Sequence, residues 1–312
     1  MHCKNIKLMK TILFLLLLTL TSCSSGNDDI LEGIVPEQPE QPEQPEQPEQ
    51  PEEPSEGNVV DSTIIYSQRE GKKIYGVMYY NALSSKSKPA VILSHSSSLT
   101  HEAMAGYARQ LAEKDFAAYC FDFCGGSDKS KSEGSTDEMT LFTEVADLKA
   151  VVKTIKEQNF VDKDKIFLLG SSQGGLVSAL VAEEISDEIN GLILFYPAFN
   201  IPEMVEKFGS FGGMFGGMST AFVESVKGYD VWQHVGNYPK PVCIIHGTND
   251  FIVPLSYSEK AATLYPKATL HTINGATHGF NDANLGGFGS MLGGKDYDAV
   301  VMPIVFDFLT SL

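Results

Sequence analysis

Three residue types that together can break an acyl bond recur in this chain in a fixed order. Ser172 stands at the centre of Gly170-Ser171-Ser172-Gln173-Gly174, directly after the apolar run Ile166-Phe-Leu-Leu169. Glycines on both sides let the backbone turn sharply from a strand into a helix and hold the hydroxyl clear of its surroundings. Asp250 follows in His246-Gly-Thr-Asn-Asp250-Phe-Ile-Val-Pro254, and His278 in Gly275-Ala-Thr-His278-Gly-Phe280. A serine hydroxyl is a weak nucleophile until a base takes its proton, and an imidazole base needs a carboxylate to fix its tautomer and stabilise its cation. Ser172, His278 and Asp250 fit those three roles. The oxyanion formed on attack needs backbone N–H donors, one from the residue after the nucleophile and one from the loop after the third strand. Gln173 supplies the first, and within Ser94-His95-Ser-Ser-Ser98 the amide of Ser97 is the candidate for the second.

These residues need strand ends to sit on. The folded part alternates strand-like runs with amphipathic helices, the pattern of a mostly parallel sheet covered on both faces. Residues 62–67 and 73–80, joined around Arg69-Glu-Gly71, read as an antiparallel hairpin; 89–94, 117–123, 165–169, 191–196, 241–245 and 268–273 read as further strands, about eight in all. Helices are expected over 102–114, 136–158, 173–185 and 296–312, the longest with Met139, Phe142, Val145, Leu148, Val152 and Ile155 on its apolar face. Asp250 and His278 each follow a strand, as Ser172 does, so all three are expected beyond the carboxyl ends of parallel strands. The alternation breaks between Tyr196 and Lys240, where Phe208–Met218 is glycine-rich, and Leu285–Gly294 repeats that composition. The two stretches are expected to form a small Gly-rich cap of mobile apolar loops over the site.

The motifs resemble those of the alpha/beta-hydrolase superfamily, in the serine esterase branch that includes cinnamoyl and feruloyl esterases and the prolyl-oligopeptidase-like hydrolases. The resemblance spans about Lys73 to Leu312 and rests on the serine turn, the His246-Gly-x-x-Asp250-x-x-Val253-Pro254 loop and His278-Gly-Phe280. It implies an alpha/beta-hydrolase fold, hydrolysis of carboxylic esters through an acyl-enzyme, and no cofactor. It also implies plant-polysaccharide acetyl or hydroxycinnamoyl esters as substrates. A peptidase or amidase of the prolyl-oligopeptidase type and a non-catalytic binding protein on the same fold are the rival readings. The chain departs from the pattern at His95-Ser96-Ser97, where the family carries His-Gly, and in Asp122-Phe-Cys-Gly-Gly-Ser127, a shortened form of a family loop. His95 and His246 are expected to be structural hydrogen-bonders, and scattered histidines give no metal-ligand spacing.

Ahead of this domain, residues 1–22 read as an export signal: Lys4, Lys7 and Lys10 precede the apolar run Ile12–Leu20, which is too short to cross a bilayer. Met9 opens a more compact version of the same leader. Leu20-Thr-Ser-Cys23 resembles a bacterial lipobox, which implies lipidation of Cys23 and a membrane-anchored place in the cell envelope, at the outer membrane or cell surface. Residues 23–57 carry five Pro-Glu-Gln repeats and favour an extended polyproline II tether. Eleven acids and no Lys or Arg fall in that tether, so of the net charge of −17 the domain of residues 58–312 carries −9. That balance disfavours nucleic-acid phosphates as partners. The domain's three cysteines, Cys120, Cys124 and Cys243, are an odd number in an exported protein and are expected as free thiols.

Overall fold

The computed structural model describes residues 59–209, 218–281 and 296–312. Cys23, the Pro-Glu-Gln tether, and residues 210–217 and 285–294 of the expected cap lie outside the described residues. The chain opens with a hairpin of β1 (Val60–Arg69) and β2 (Lys72–Asn81), closed by Glu70 and Gly71, both at positive φ. Six strands follow: β3 (Lys88–Ser94), β4 (Ala117–Phe121), β5 (Val161–Ser171), β6 (Gly191–Phe195), β7 (Val242–Gly247) and β8 (Ala268–Ile273). They form one sheet in the order β1-β2-β4-β3-β5-β6-β7-β8. The pairs β1/β2 and β2/β4 are antiparallel and all pairs from β4 to β8 are parallel.

The central strands are apolar on both sides because both faces are covered. On one face Ile92, Ile166, Leu168, Leu192, Leu194 and Ile244 join the core under α2 (Leu141–Lys156) and α3 (Gln173–Glu184). On the other Val91, Leu93, Leu169, Ile193, Phe195 and Ile245 join the core under α1 (Ala105–Ala112) and α7 (Asp298–Thr310). Between β6 and β7 stand α4 (Ile201–Phe208) and α5 (Thr220–Val226), and α6 (Leu255–Leu264) makes the crossover from β7 to β8.

Helix α2 begins later than its apolar spacing predicts. Thr140 caps it, its Oγ1 accepting from the Thr143 amide while Thr143 Oγ1 accepts from the Thr140 amide, so 136–138 is a turn. Val145, Leu148, Val152 and Ile155 are buried as expected, joined by Leu141 and Val151, whereas Phe142 is 47% exposed. Glu144 and Asp147 fall on the buried side instead.

Candidate active site

β5 and α3 meet at Ser172, whose φ of 51° and ψ of −117° are strained for a residue with a Cβ. The turn is possible only because its neighbours lack side chains. A Cβ on Gly170 would lie 2.2 Å from the Gly174 carbonyl oxygen, and one on Gly174 would lie 2.4 Å and 2.5 Å from the carbonyl oxygens of Ser94 and His95. The loop after β3 therefore rests directly on the turn. Ser96 Oγ reinforces that contact with a 3.0 Å hydrogen bond to Ser171 Oγ.

The carbonyl of Ser172 accepts from the amides of Ala198 at 2.9 Å, Gly175 at 3.0 Å and Leu176 at 3.2 Å. In a trans peptide the N–H points opposite to the C=O, so these three donors aim the Gln173 amide away from α3. That amide and the Ser97 amide make no hydrogen bond within the described residues. Ser97 sits in the turn following β3, beside Ser98 at φ 59°.

Asp250, in the loop after β7, and His278, in the loop after β8, converge on Ser172. His278 Nε2 is 3.0 Å from Ser172 Oγ, and His278 Nδ1 is 2.7 Å from Asp250 Oδ2. The same Oδ2 lies 3.1 Å from His246 Nε2, which is also 2.9 Å from the Val253 carbonyl. A carbonyl can only accept, so His246 carries its hydrogen on Nε2, and its Nδ1 accepts from Ser258 Oγ at 2.7 Å. Asp250 Oδ1 accepts from the amides of Ile252 and Val253, both at 2.9 Å. Burial of Asp250 pushes its carboxyl up, but hydrogen bonds from His246 and His278 outweigh it and hold the group well below the usual carboxylate range. An ionised Asp250 requires the hydrogen of His278 on Nδ1 and leaves Nε2 to accept from Ser172. The ring edge of Tyr196, at φ 37°, packs on His278 with ring centres 4.7 Å apart.

The other candidate histidine is structural. His95 donates from Nδ1 to the Ser96 carbonyl at 2.8 Å and accepts from the Phe123 amide on Nε2, and burial lowers its pKa, keeping it neutral. Sequence reasoning missed Glu144. It is fully enclosed, and its Oε2 accepts from Gln173 Nε2 at 2.7 Å. Burial, followed by the hydrogen bond from Gln173 that opposes it and the charge of Asp147, sets its carboxyl at about 8. Asp147, one turn on, is held by Arg69 Nε and by the Cys124 amide. The signal available was an acid pair three residues apart, each acid directly before a residue of the apolar stripe, Val145 and Leu148. Among the described residues no group of three His, Cys, Asp or Glu could hold a metal ion.

Sheet order, crossovers and a strained serine turn at the carboxyl end of the central strand define the alpha/beta-hydrolase fold, and the chain has that fold. The family described as serine aminopeptidase, S33, matches residues 85–228. Est1E from Butyrivibrio proteoclasticus, solved with ferulic acid bound, is 29% identical, with a TM-score of 0.62 over 69% of this chain and 90% of its own. A monoacylglycerol lipase from Paleococcus ferrophilus, 17% identical, shares the fold with a TM-score of 0.58 over 76% of this chain and 98% of its own.

Proposed function

We propose that this hydrolase is a serine esterase acting through an acyl-enzyme. The observation that carries the reading is the unbroken relay from Asp250 Oδ2 through His278 to Ser172 Oγ, with hydrogen bonds of 2.7 Å and 3.0 Å. Ser172 Oγ bonds to the ester carbonyl carbon as its proton passes to His278 Nε2. The carbonyl oxygen becomes an oxyanion held by the amides of Gln173 and Ser97. Collapse breaks the bond to the alkoxy oxygen, which leaves with the proton of His278. Water then repeats the sequence: its proton goes to His278, its oxygen bonds to the acyl carbon, and Ser172 is released as the acid departs. Throughout, Asp250 stays ionised and balances the imidazolium.

The ferulic acid held by Est1E supports hydroxycinnamoyl esters, including those on plant polysaccharide, as the substrate class, with acetyl esters as the small-acyl alternative. The match to serine aminopeptidases supports one rival, cleavage of an amide. The test compares wild type and Ser172→Ala on methyl ferulate, p-nitrophenyl acetate and a prolyl amide. Wild type is expected to hydrolyse the esters well ahead of the amide, with Ser172→Ala lower by about 10⁴-fold or more. A fluorophosphonate probe should label wild type only. Equal labelling of both forms, or ester turnover surviving the substitution, overturns the assignment of Ser172.

A further inference from the structure

Helix α2 carries a carboxyl group that the relay above does not use. Glu144 is 1% exposed and its Oε2 takes a 2.7 Å hydrogen bond from Nε2 of Gln173, the residue that opens α3 immediately after Ser172. Gln173 is itself only 3% exposed, and its Oε1 has no partner. The carboxamide therefore depends on Glu144 for its only side-chain hydrogen bond among the described residues. Gln173 matters to the chemistry through its backbone, because its amide is the donor aimed at the developing oxyanion. Three hydrogen bonds to the Ser172 carbonyl hold one side of that peptide. The first turn of α3 holds the other side, and the side chain adds a further handle on the donor's own Cα.

We propose that Glu144 is a positioning residue for the oxyanion donor, gripping the Gln173 carboxamide so that the adjoining amide keeps its aim. The inference rests on the serine esterase reading. Without Glu144 the Gln173 carboxamide is buried with neither end paired, a state costly enough to drive the side chain toward other partners. Such a rotation turns the Cα of Gln173 and tilts the peptide between residues 172 and 173. An oxyanion donor acts only when its nitrogen lies about 2.7–3.1 Å from the oxygen with the N–H aimed at it, so a small tilt is felt in the transition state far more than in substrate binding. A second contact fits the same role. Asp147, on the same face of α2, is fixed by Arg69 and the Cys124 amide, which anchors the helix from which Glu144 reaches.

The experiment measures kcat and KM for p-nitrophenyl acetate in Glu144→Ala, Glu144→Gln and the double variant Glu144→Leu/Gln173→Leu. In Glu144→Ala kcat should fall by about 10- to 100-fold with KM within about twofold of wild type, because only the transition state is disturbed. Glu144→Gln can accept the same bond through its own carbonyl oxygen and should recover kcat to within about threefold. The double variant replaces the buried pair by apolar groups, so it should keep a melting temperature near that of wild type and still show the low kcat. That variant decides the matter if Glu144→Ala does not fold. A wild-type kcat in Glu144→Ala or in the double variant, an equal loss in Glu144→Ala and Glu144→Gln, or a loss confined to KM overturns the proposal. Failure of the underlying reading looks different, since it appears as activity surviving Ser172→Ala whatever Glu144 does.

Discussion

Replacing Asp250 by asparagine removes a charge and reverses one donor, and the structure says which bond suffers. Oδ1 accepts from two backbone amides and Oδ2 from two imidazoles, so all four partners are donors. An asparagine offers one oxygen and one NH2. The amides of Ile252 and Val253 cannot change role, so the oxygen turns toward them and the NH2 faces His278 Nδ1 and His246 Nε2. His278 must then accept on Nδ1 and carry its hydrogen on Nε2, and in that tautomer it cannot take the proton of Ser172. His246 is caught too, since its Nε2 hydrogen is also bound to the Val253 carbonyl. The expected loss in kcat is about 10⁴-fold, or about 5 kcal/mol of transition-state stabilisation, the scale found when the wrong tautomer is enforced in a serine triad. The assay is kcat/KM for p-nitrophenyl acetate beside Ser172→Ala as the floor, with a melting curve to establish folding. A folded Asp250→Asn enzyme retaining more than about a tenth of wild-type turnover would refute the tautomer argument and move the acid elsewhere.

Three further outcomes are expected. Gly174→Ala should lower both the melting temperature and kcat, because its Cβ would stand 2.4 Å and 2.5 Å from two backbone carbonyl oxygens, whereas Gly106→Ala in α1, with nothing within 4 Å, should gain about 0.5–1 kcal/mol in thermal unfolding; a harmless Gly174→Ala would refute the close approach. Burial raises Glu144 from 4.5 to about 8, so between those values the folded state holds a proton that the unfolded state has lost, and stability falls as pH rises through that window. Glu144→Gln abolishes this contribution and should show a smaller drop in melting temperature from pH 5 to pH 9 than wild type, and parallel curves would contradict the burial of that carboxyl. Asp250 acts in the opposite sense, contributing stability above its unfolded pKa of about 3.8 that is lost as pH falls below it.

Strands β3 to β7 were legible because each holds a short apolar run bounded by glycine, proline or charge, and the strands leading to Ser172 and Asp250 are among them; β1 and β8, mostly unburied, are less strongly marked. Helix α6 escaped notice because its buried residues are only Ser258 and Ala261, too small and too few to make an apolar stripe. The start of α2 was misplaced because Met139 is buried without being helical, which extended the apparent spacing past the Thr140 cap. Glu144 could not be read as part of the site. An acid in an amphipathic pattern ordinarily marks the wet face, and only the packing of α2 against α3 reveals that this one points inward. Tyr196 was equally hidden, since its contact with His278 depends on a backbone angle that an apolar strand end does not announce.

The order of strands has a consequence in time. Ser172 and His278 are separated by 106 positions in the chain, and the acid and base hang from β7 and β8, the last two strands to be synthesised and the outermost on their side of the sheet. Parallel strands pair only after a crossover has been closed, so these contacts are slow to form compared with the hairpin and helices. On the proposed mechanism, a nascent or refolding chain that has built the serine turn but not docked β8 holds a nucleophile with no base, and it is chemically inert. Recovery of turnover after dilution from denaturant should therefore lag the recovery of helical circular dichroism.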